Sequence, residues 1–307
     1  MYRKILVPLD GSGFAEVVLP YAKELAARLG VEVVLLHIVS PEERSFFEPL
    51  HRAYINETVE TIRHQAKAVQ IKGTTQPVQV RGEIVVGYPD EEIPRFAVAN
   101  AIDLILMATH DSAVGRHRAL GHIAEKVLHQ SRVPVWLVRA GVPDAVSYDK
   151  WPEKTLIVTL DGSELAESVL PHVEALAQQR GETVDVALIR VCEPPPMPSY
   201  YGMELSGVPL NWGQYVQQEM DQCQKTSGEY LAGIEERLKD KNITVRSEVL
   251  TGKASHEIIG YASKNPFSLI VMTTHGRSGL GRLVYGSVAE SVLLGASNPI
   301  FLVRVNN

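Results

Sequence analysis

One order of strands, turns and helices runs through the 307 residues twice. Ile5-Leu6-Val7-Pro8-Leu9 ends in Asp10-Gly11-Ser12, and Thr155-Leu156-Ile157-Val158-Thr159-Leu160 ends in Asp161-Gly162-Ser163. Ala15-Glu16 and Leu19-Pro20 return as Ala166-Glu167 and Leu170-Pro171 at a constant offset, and Val133 to Arg139 is answered by Asn298 to Arg304. A period of about 150 residues marks a duplicated domain, because solenoid units are several times shorter. The turn residues from Gly141 to Lys150 place the boundary near 145, giving domains of residues 1–145 and 146–307.

Within the first copy, strands at 5–9, Val31 to Val39, Val78 to Gly87, Asp103 to Ala108 and Val133 to Arg139 alternate with helical spacing over Ala15 to Leu29, Phe46 to Lys72 and Pro89 to Asn100. The strands are short and apolar without alternation, the pattern of strands buried on both faces. Alternating strand and helix then predicts an α/β fold with a doubly wound parallel sheet in each copy, and such sheets bind ligands beyond the carboxyl ends of their strands, where strand order reverses.

Composition narrows the function. With 45% hydrophobic residues there is material for two cores. Thirty basic against 36 acidic residues give a net charge of −6, and the basic residues form no run, which argues against a nucleic-acid partner. No apolar run approaches membrane-spanning length, and the amino-terminal run is too short for a signal peptide. Cys192 and Cys223 are neither at metal-ligand spacing nor numerous enough for a disulfide framework, so a reducing cytoplasm is the expected compartment.

The chemistry is concentrated in one stretch. The buried-type strand Ser268-Leu269-Ile270-Val271-Met272 runs into Thr273-Thr274-His275-Gly276, and after nine intervening residues Gly286-Ser287-Val288 opens a helical pattern. Glycines let the backbone turn its N–H groups inward, and a helix start adds unpaired donors and a positive dipole end. Ser287 occupies the expected N-cap position, where its hydroxyl serves either the helix or an anion.

This stretch resembles the nucleotide-binding signature of the universal stress protein family: Gly, two residues, Gly, nine residues, Gly, then Ser or Thr. Gly276, Gly286 and Ser287 take the last three positions and Thr273 replaces the first glycine; Thr159 stands where the family favours proline. The resemblance implies two tandem Rossmann-like domains, each a five-stranded parallel sheet in the order 3-2-1-4-5, paired through their fifth strands at Trp136 and Phe301 as an intramolecular pseudo-dimer. Assembly into a homodimer is left open. It also implies that Asp161 and the backbone of Val191 hold an adenine, while Thr273, Gly276, Gly286, Ser287 and Val288 hold ribose and phosphates. The ligand implied is ATP, or ADP or AMP, with magnesium accompanying ATP. In the first copy Asp111 and His122 stand where the second has Gly276 and Ser287, so a carboxylate opposes an incoming polyphosphate. Pro8, Asp10, Ile38 and Gly121 match there, and weak or absent nucleotide binding is expected, adenosine or a monophosphate remaining open.

Other features carry plainer readings. Asp161 reads also as a turn residue, His275 as a packed loop residue without a nucleophile or orienting carboxylate nearby, and Arg277 and Arg282 as solvated charges. Thr251 to Ser255 lacks the first glycine and the Ser or Thr of a P-loop, and Gly11 to Glu16 lacks the third glycine of a dinucleotide fingerprint. The proline-rich stretch from Pro194 through Trp212 reads as a lid over the crevice or a partner-binding segment. The expected function is adenine-nucleotide binding in a stress-response or regulatory protein with an unidentified protein partner. Two alternatives stand beside it: a slow ATP hydrolase or self-phosphorylating protein using Ser287 or Thr274, and a nucleotide-free scaffold.

Overall fold

A computed structural model of the chain describes residues 2–42, 44–70, 77–109, 120–139, 148–179, 183–196, 211–275 and 285–304. The first half runs β1 (Lys4–Leu9), a 3-10 turn (Glu16–Val18), α1 (Leu19–Arg28), β2 (Glu32–Val39), α2 (Arg44–Val69), β3 (Val80–Val86), α3 (Pro89–Ala99), β4 (Leu104–Ala108), α4 (His122–Gln130) and β5 (Val135–Val138). After a 3-10 turn at Tyr148–Lys150, the second half runs β6 (Lys154–Thr159), α5 (Glu164–Glu167), α6 (Leu170–Ala177), β7 (Val184–Cys192), α7 (Trp212–Lys239), β8 (Val245–Thr251), α8 (Ala254–Lys264), β9 (Ser268–Thr273), α9 (Ser287–Gly295) and β10 (Ile300–Val303). Pro20, Pro89 and Pro171 sit in the first turns of α1, α3 and α6, where their missing N–H groups cost nothing. The boundary expected near 145 lies outside the described residues, as does the expected lid beyond Pro196 up to Leu210.

One ten-stranded sheet forms among the described residues, ordered β3-β2-β1-β4-β5-β10-β9-β6-β7-β8. Each half therefore has the order 3-2-1-4-5, parallel throughout, and the halves join where β5 meets β10 antiparallel with Trp136 opposite Phe301. Alternate residues of each strand enter opposite core layers: Ile5, Val7, Val33 and Leu35 on one face, Leu6, Val34 and Leu36 on the other. All seven are fully buried, and each such side chain contributes about 1.5–3 kcal/mol over its exposed state.

The first of these layers crosses the junction without a break. Tyr21 stacks on Tyr148 at 4.6 Å between ring centroids, and Trp136 meets Phe301 edge-on at 6.0 Å. Polar contacts tie the same junction: Lys154 with Glu24, Tyr2 with His172, Arg139 with the end of α9, and Arg304 with the end of α4. No helix among the described residues is long and apolar enough to cross a membrane.

The cysteines depart from the sequence reading. Cys192, the last residue of β7, is disulfide-bonded to Cys223 on α7, with Cα atoms 6.0 Å apart and a separation of 31 positions in sequence. Spacing gave no sign of this pair, because it arises only when α7 folds back across the end of β7.

Candidate functional site

In the second half the sheet order reverses at β6, which lies between β7 and β9. Gly162, at φ +85°, turns the chain just after β6. Asp161 Oδ1 accepts from the Ser163 N–H at 2.9 Å and the Ser163 hydroxyl at 2.6 Å, and Ser163 Oγ in turn caps α5 by accepting from the Ala166 N–H. Asp161 is thus a turn residue, and it also lines the cavity described below.

The loop after β9 is closed at both ends. The Thr274 N–H donates to the Val303 carbonyl at 3.0 Å, and the Gly286 N–H donates to the Thr274 carbonyl at 2.7 Å. Thr273, where the signature has glycine, turns its hydroxyl back onto the His275 carbonyl at 2.6 Å and so bridges the bend that glycine would otherwise make. Thr274 Oγ1 lies 3.1 Å from His275 Nδ1. Gly276 lies outside the described residues, together with Arg277 and Arg282.

Helix α9 begins differently from the sequence expectation. Gly286 is its N-cap, so Ser287 is the first helical residue and is exposed. The first intrahelical bond runs from Glu290 N–H to the Gly286 carbonyl, and no side chain among the described residues caps the helix, which leaves the earlier N–H groups without intrahelical acceptors. Gly286 has φ −67°, and a Cβ there would meet the Thr274 carbonyl at 3.5 Å, an ordinary contact. Neither its backbone conformation nor its neighbours among the described residues require glycine at 286.

These pieces surround a cavity of about 460 Å³. Its lining includes Asp161, Val191, Thr273, Gly286, Ser287 and Val288, all the second-half candidates that fall within the described residues. It also includes three residues that motif spacing missed: Arg190, Glu193 and Cys223. The Arg190 guanidinium lies over the Tyr230 ring at 5.0 Å, and Glu193 Oε1 accepts from the Ala254 N–H at 2.5 Å at the start of α8. Burial, aided by the carboxylates of Glu167 and Asp161 and opposed by Arg190, pushes the Tyr230 hydroxyl well above its usual range, so it stays protonated. The site therefore combines a carboxylate at one strand end, a cation beside the next strand, and an uncapped helix start.

The first half repeats the frame with less room. The Thr109 N–H donates to the Val138 carbonyl at 2.9 Å and the Gly121 N–H to the Thr109 carbonyl at 2.7 Å, matching the second half bond for bond. Pro8, Asp10, Ile38 and Gly121 come together around a cavity of only about 90 Å³. At three lining positions this half carries the larger side chain: Pro89 for Ala254, His122 for Ser287 and Ile123 for Val288. His110 and Asp111 lie outside the described residues.

Comparison with known proteins gives a consistent family. A model described as the universal stress protein family matches residues 1–139 and 153–304. A universal stress protein of Methanocaldococcus jannaschii is 33% identical over 155 residues, covering 45% of this chain and 96% of that protein. One from Mycobacterium tuberculosis is 25% identical over 310 residues, covering 98% of this chain and 96% of the other. The crystal structure of a universal stress protein from Archaeoglobus fulgidus has a similar fold, with a TM-score of 0.61 at 19% identity, covering 98% of this chain and 96% of that one. A structure from Pseudomonas aeruginosa gives a TM-score of 0.65 at 17% identity over 99% of this chain and 93% of its own.

Proposed function

The chain belongs to the universal stress protein family, and from that premise we propose that it is a cytoplasmic stress-response regulator that binds adenine nucleotide in its second half. The observation that carries this reading is the cavity of about 460 Å³ at the reversal of strand order, between the Asp161 turn and the uncapped start of α9. Adenine lies against Val191 and Asp161, ribose and phosphates against Thr273, Gly276, Gly286 and the amides of Ser287 and Val288. Backbone donors at a helix start suit phosphate oxygens without a cluster of basic side chains. The glycine at 286, which packing among the described residues does not demand, fits close approach of a ligand.

The reading divides the chain into domains 1–145 and 146–307, with the smaller first-half cavity binding nucleotide weakly or not at all. Its output is a change of conformation or partner affinity, driven by the preference of ATP for one conformer.

Two measurements test it. Denaturing the purified protein and identifying released small molecules by mass spectrometry is expected to yield adenine nucleotide. Titrating ATP, with and without magnesium, into the wild type and Gly276→Asp is expected to show affinity in the first and a loss of at least about tenfold in the second, since a carboxylate at that position repels polyphosphate. No released nucleotide and no ATP binding at millimolar concentration would leave the scaffold reading in its place.

A further inference from the structure

One of the chain's two cysteines lines the second cavity, and the other is bonded to it. Cys192 follows Val191 at the end of β7 and is fully buried, whereas Cys223 on α7 is half-buried and lines the cavity. Ser227, one turn beyond Cys223 and itself fully buried, places its Oγ 3.5 Å from Cys192 Sγ and 3.8 Å from Cys223 Sγ. The two half-cystines are therefore unequal: Cys223 is half-buried and lines the cavity, whereas Cys192 is fully enclosed and has the Ser227 hydroxyl slightly nearer.

We propose that Cys192–Cys223 is a thiol–disulfide exchange site for small thiols, that the sulfur attacked is Cys223 Sγ, and that its redox state is linked to occupancy of the cavity. The linkage rests on the nucleotide reading above; the exchange site does not. The incoming thiolate forms a bond to Cys223 Sγ as the bond to Cys192 Sγ breaks, and the electron pair leaves on Cys192, where the Ser227 hydroxyl donates to it and solvent supplies a proton. A second thiolate then attacks the sulfur of the first small thiol and releases Cys223 as a thiolate. Two small thiols leave as their own disulfide, having given two electrons to the protein. Exchange rate depends on access to the attacked sulfur and on stabilisation of the leaving one, and both favour this direction.

The position gives the reaction a consequence. The carboxyl-terminal half of α7 is held by buried Leu231, Ile234 and Leu238, while between Trp212 and Thr226 only Met220 is buried. The disulfide is thus a main attachment of the front of α7 to the cavity wall beside Val191. Opening it frees that wall, so the reduced protein holds a ligand less well; a ligand in the cavity also covers the attacked sulfur and slows exchange. Oxidised protein and bound nucleotide therefore favour each other through the held wall, as reciprocal linkage requires.

The first test uses Cys192→Ser and Cys223→Ser in the full chain, treated with glutathione disulfide and followed by intact-mass spectrometry. Cys223 is expected to form the mixed disulfide at least about tenfold faster than Cys192; equal or reversed rates overturn the assignment. The second test needs no variant: the wild-type disulfide is equilibrated in buffers of graded reduced to oxidised glutathione ratio, with and without saturating ATP. A shift of about tenfold or more in the ratio that opens half of the disulfide supports the linkage, whereas an unchanged ratio alongside ATP binding shown by titration overturns it. If titration shows no ATP binding, the nucleotide reading and the linkage fall together, and the exchange site is decided by the first test.

Discussion

Lys154 Nζ lies 3.1 Å from Glu24 Oε2, and each side chain is only 4% exposed. The pair joins β6 of the second half to α1 of the first. Glu24 Oε2 also accepts from Arg28 Nε at 2.6 Å, and the Lys154 ammonium sits 4.8 Å from the centre of the Tyr148 ring. One carboxylate thus serves two cations in a dry junction. Removing one member of such a group strands the charges that remain, at about 3–5 kcal/mol when nothing compensates. Lys154→Met leaves Glu24 with Arg28, so a loss of about 2 kcal/mol is expected. Glu24→Gln leaves two cations facing an amide, and its loss should be the larger. Urea denaturation ranks the two, and the reverse order would contradict this account of the junction.

The second prediction concerns the unequal cavities. Ser287→His, alone and with Val288→Ile, copies the first half into the second at exposed and partly buried positions. The folded protein should tolerate both, with stability within about 0.5–1 kcal/mol of the wild type. ATP affinity should fall at least about tenfold through occupied space and a displaced α9 start. Calorimetric titration beside a thermal melt separates the two effects; unchanged affinity would locate the ligand elsewhere.

Much of this was legible in the sequence, for identifiable reasons. Strands such as Leu156 to Thr159 and Leu269 to Met272 are buried on both faces, so their composition alone marks them. The resemblance of the Gly286-Ser287 stretch then supplied the sheet order. Ser287 was placed one position early because Ser and Gly are both accepted N-caps and only the dihedral angles decide. Arg190, Glu193 and Cys223 reach the cavity through the folding of β7, α7 and α8 about one another, which no local pattern encodes. The size difference between the cavities follows in part from His122, which is larger than its counterpart Ser287, but a substitution at one motif position does not reveal the volume around it.

Acid should loosen the contact between halves. Tyr2 Oη donates to His172 Nδ1 at 2.7 Å, since burial and then Asp103 keep the phenol protonated far above its usual range. Burial also holds the His172 imidazole below its ordinary pKa of 6.5, so the unfolded chain binds this proton more readily than the folded one. Stability from this site is accordingly complete above about pH 6.5 and is lost as pH falls below it, by at most about 1.4 kcal/mol per pH unit. Urea midpoints between about pH 7.5 and 5.5 should decline for the wild type and decline less for His172→Gln. Equal slopes would remove His172 as the group responsible.

The last prediction rests on a reciprocal pair of arginines. Each follows the junction strand of its own half and reaches the carboxyl end of a helix in the other. Arg139 Nε donates to the Ala296 carbonyl at 2.6 Å, and its Nη2 donates to Leu293 and Leu294 at 2.7 and 3.0 Å, where α9 ends. Arg304 Nη1 donates to the His129 carbonyl and, at 3.4 Å, to Ser131, where α4 ends. A cation there meets carbonyls that lack intrahelical donors and the negative end of the helix dipole. Arg139 is the more enclosed and spans three carbonyls, so Arg139→Ala should cost about 1.5–3 kcal/mol, the range for hydrogen bonds from a charged donor. Arg304→Ala should cost about 0.5–1 kcal/mol, as expected for an exposed contact. Arg139→Lys keeps the charge but loses the planar fork, so it should recover less than half of the deficit. Denaturant melts of the three variants test this directly. Full recovery by lysine would mean that Arg139 acts through charge alone, and the geometric account of the cap would be wrong.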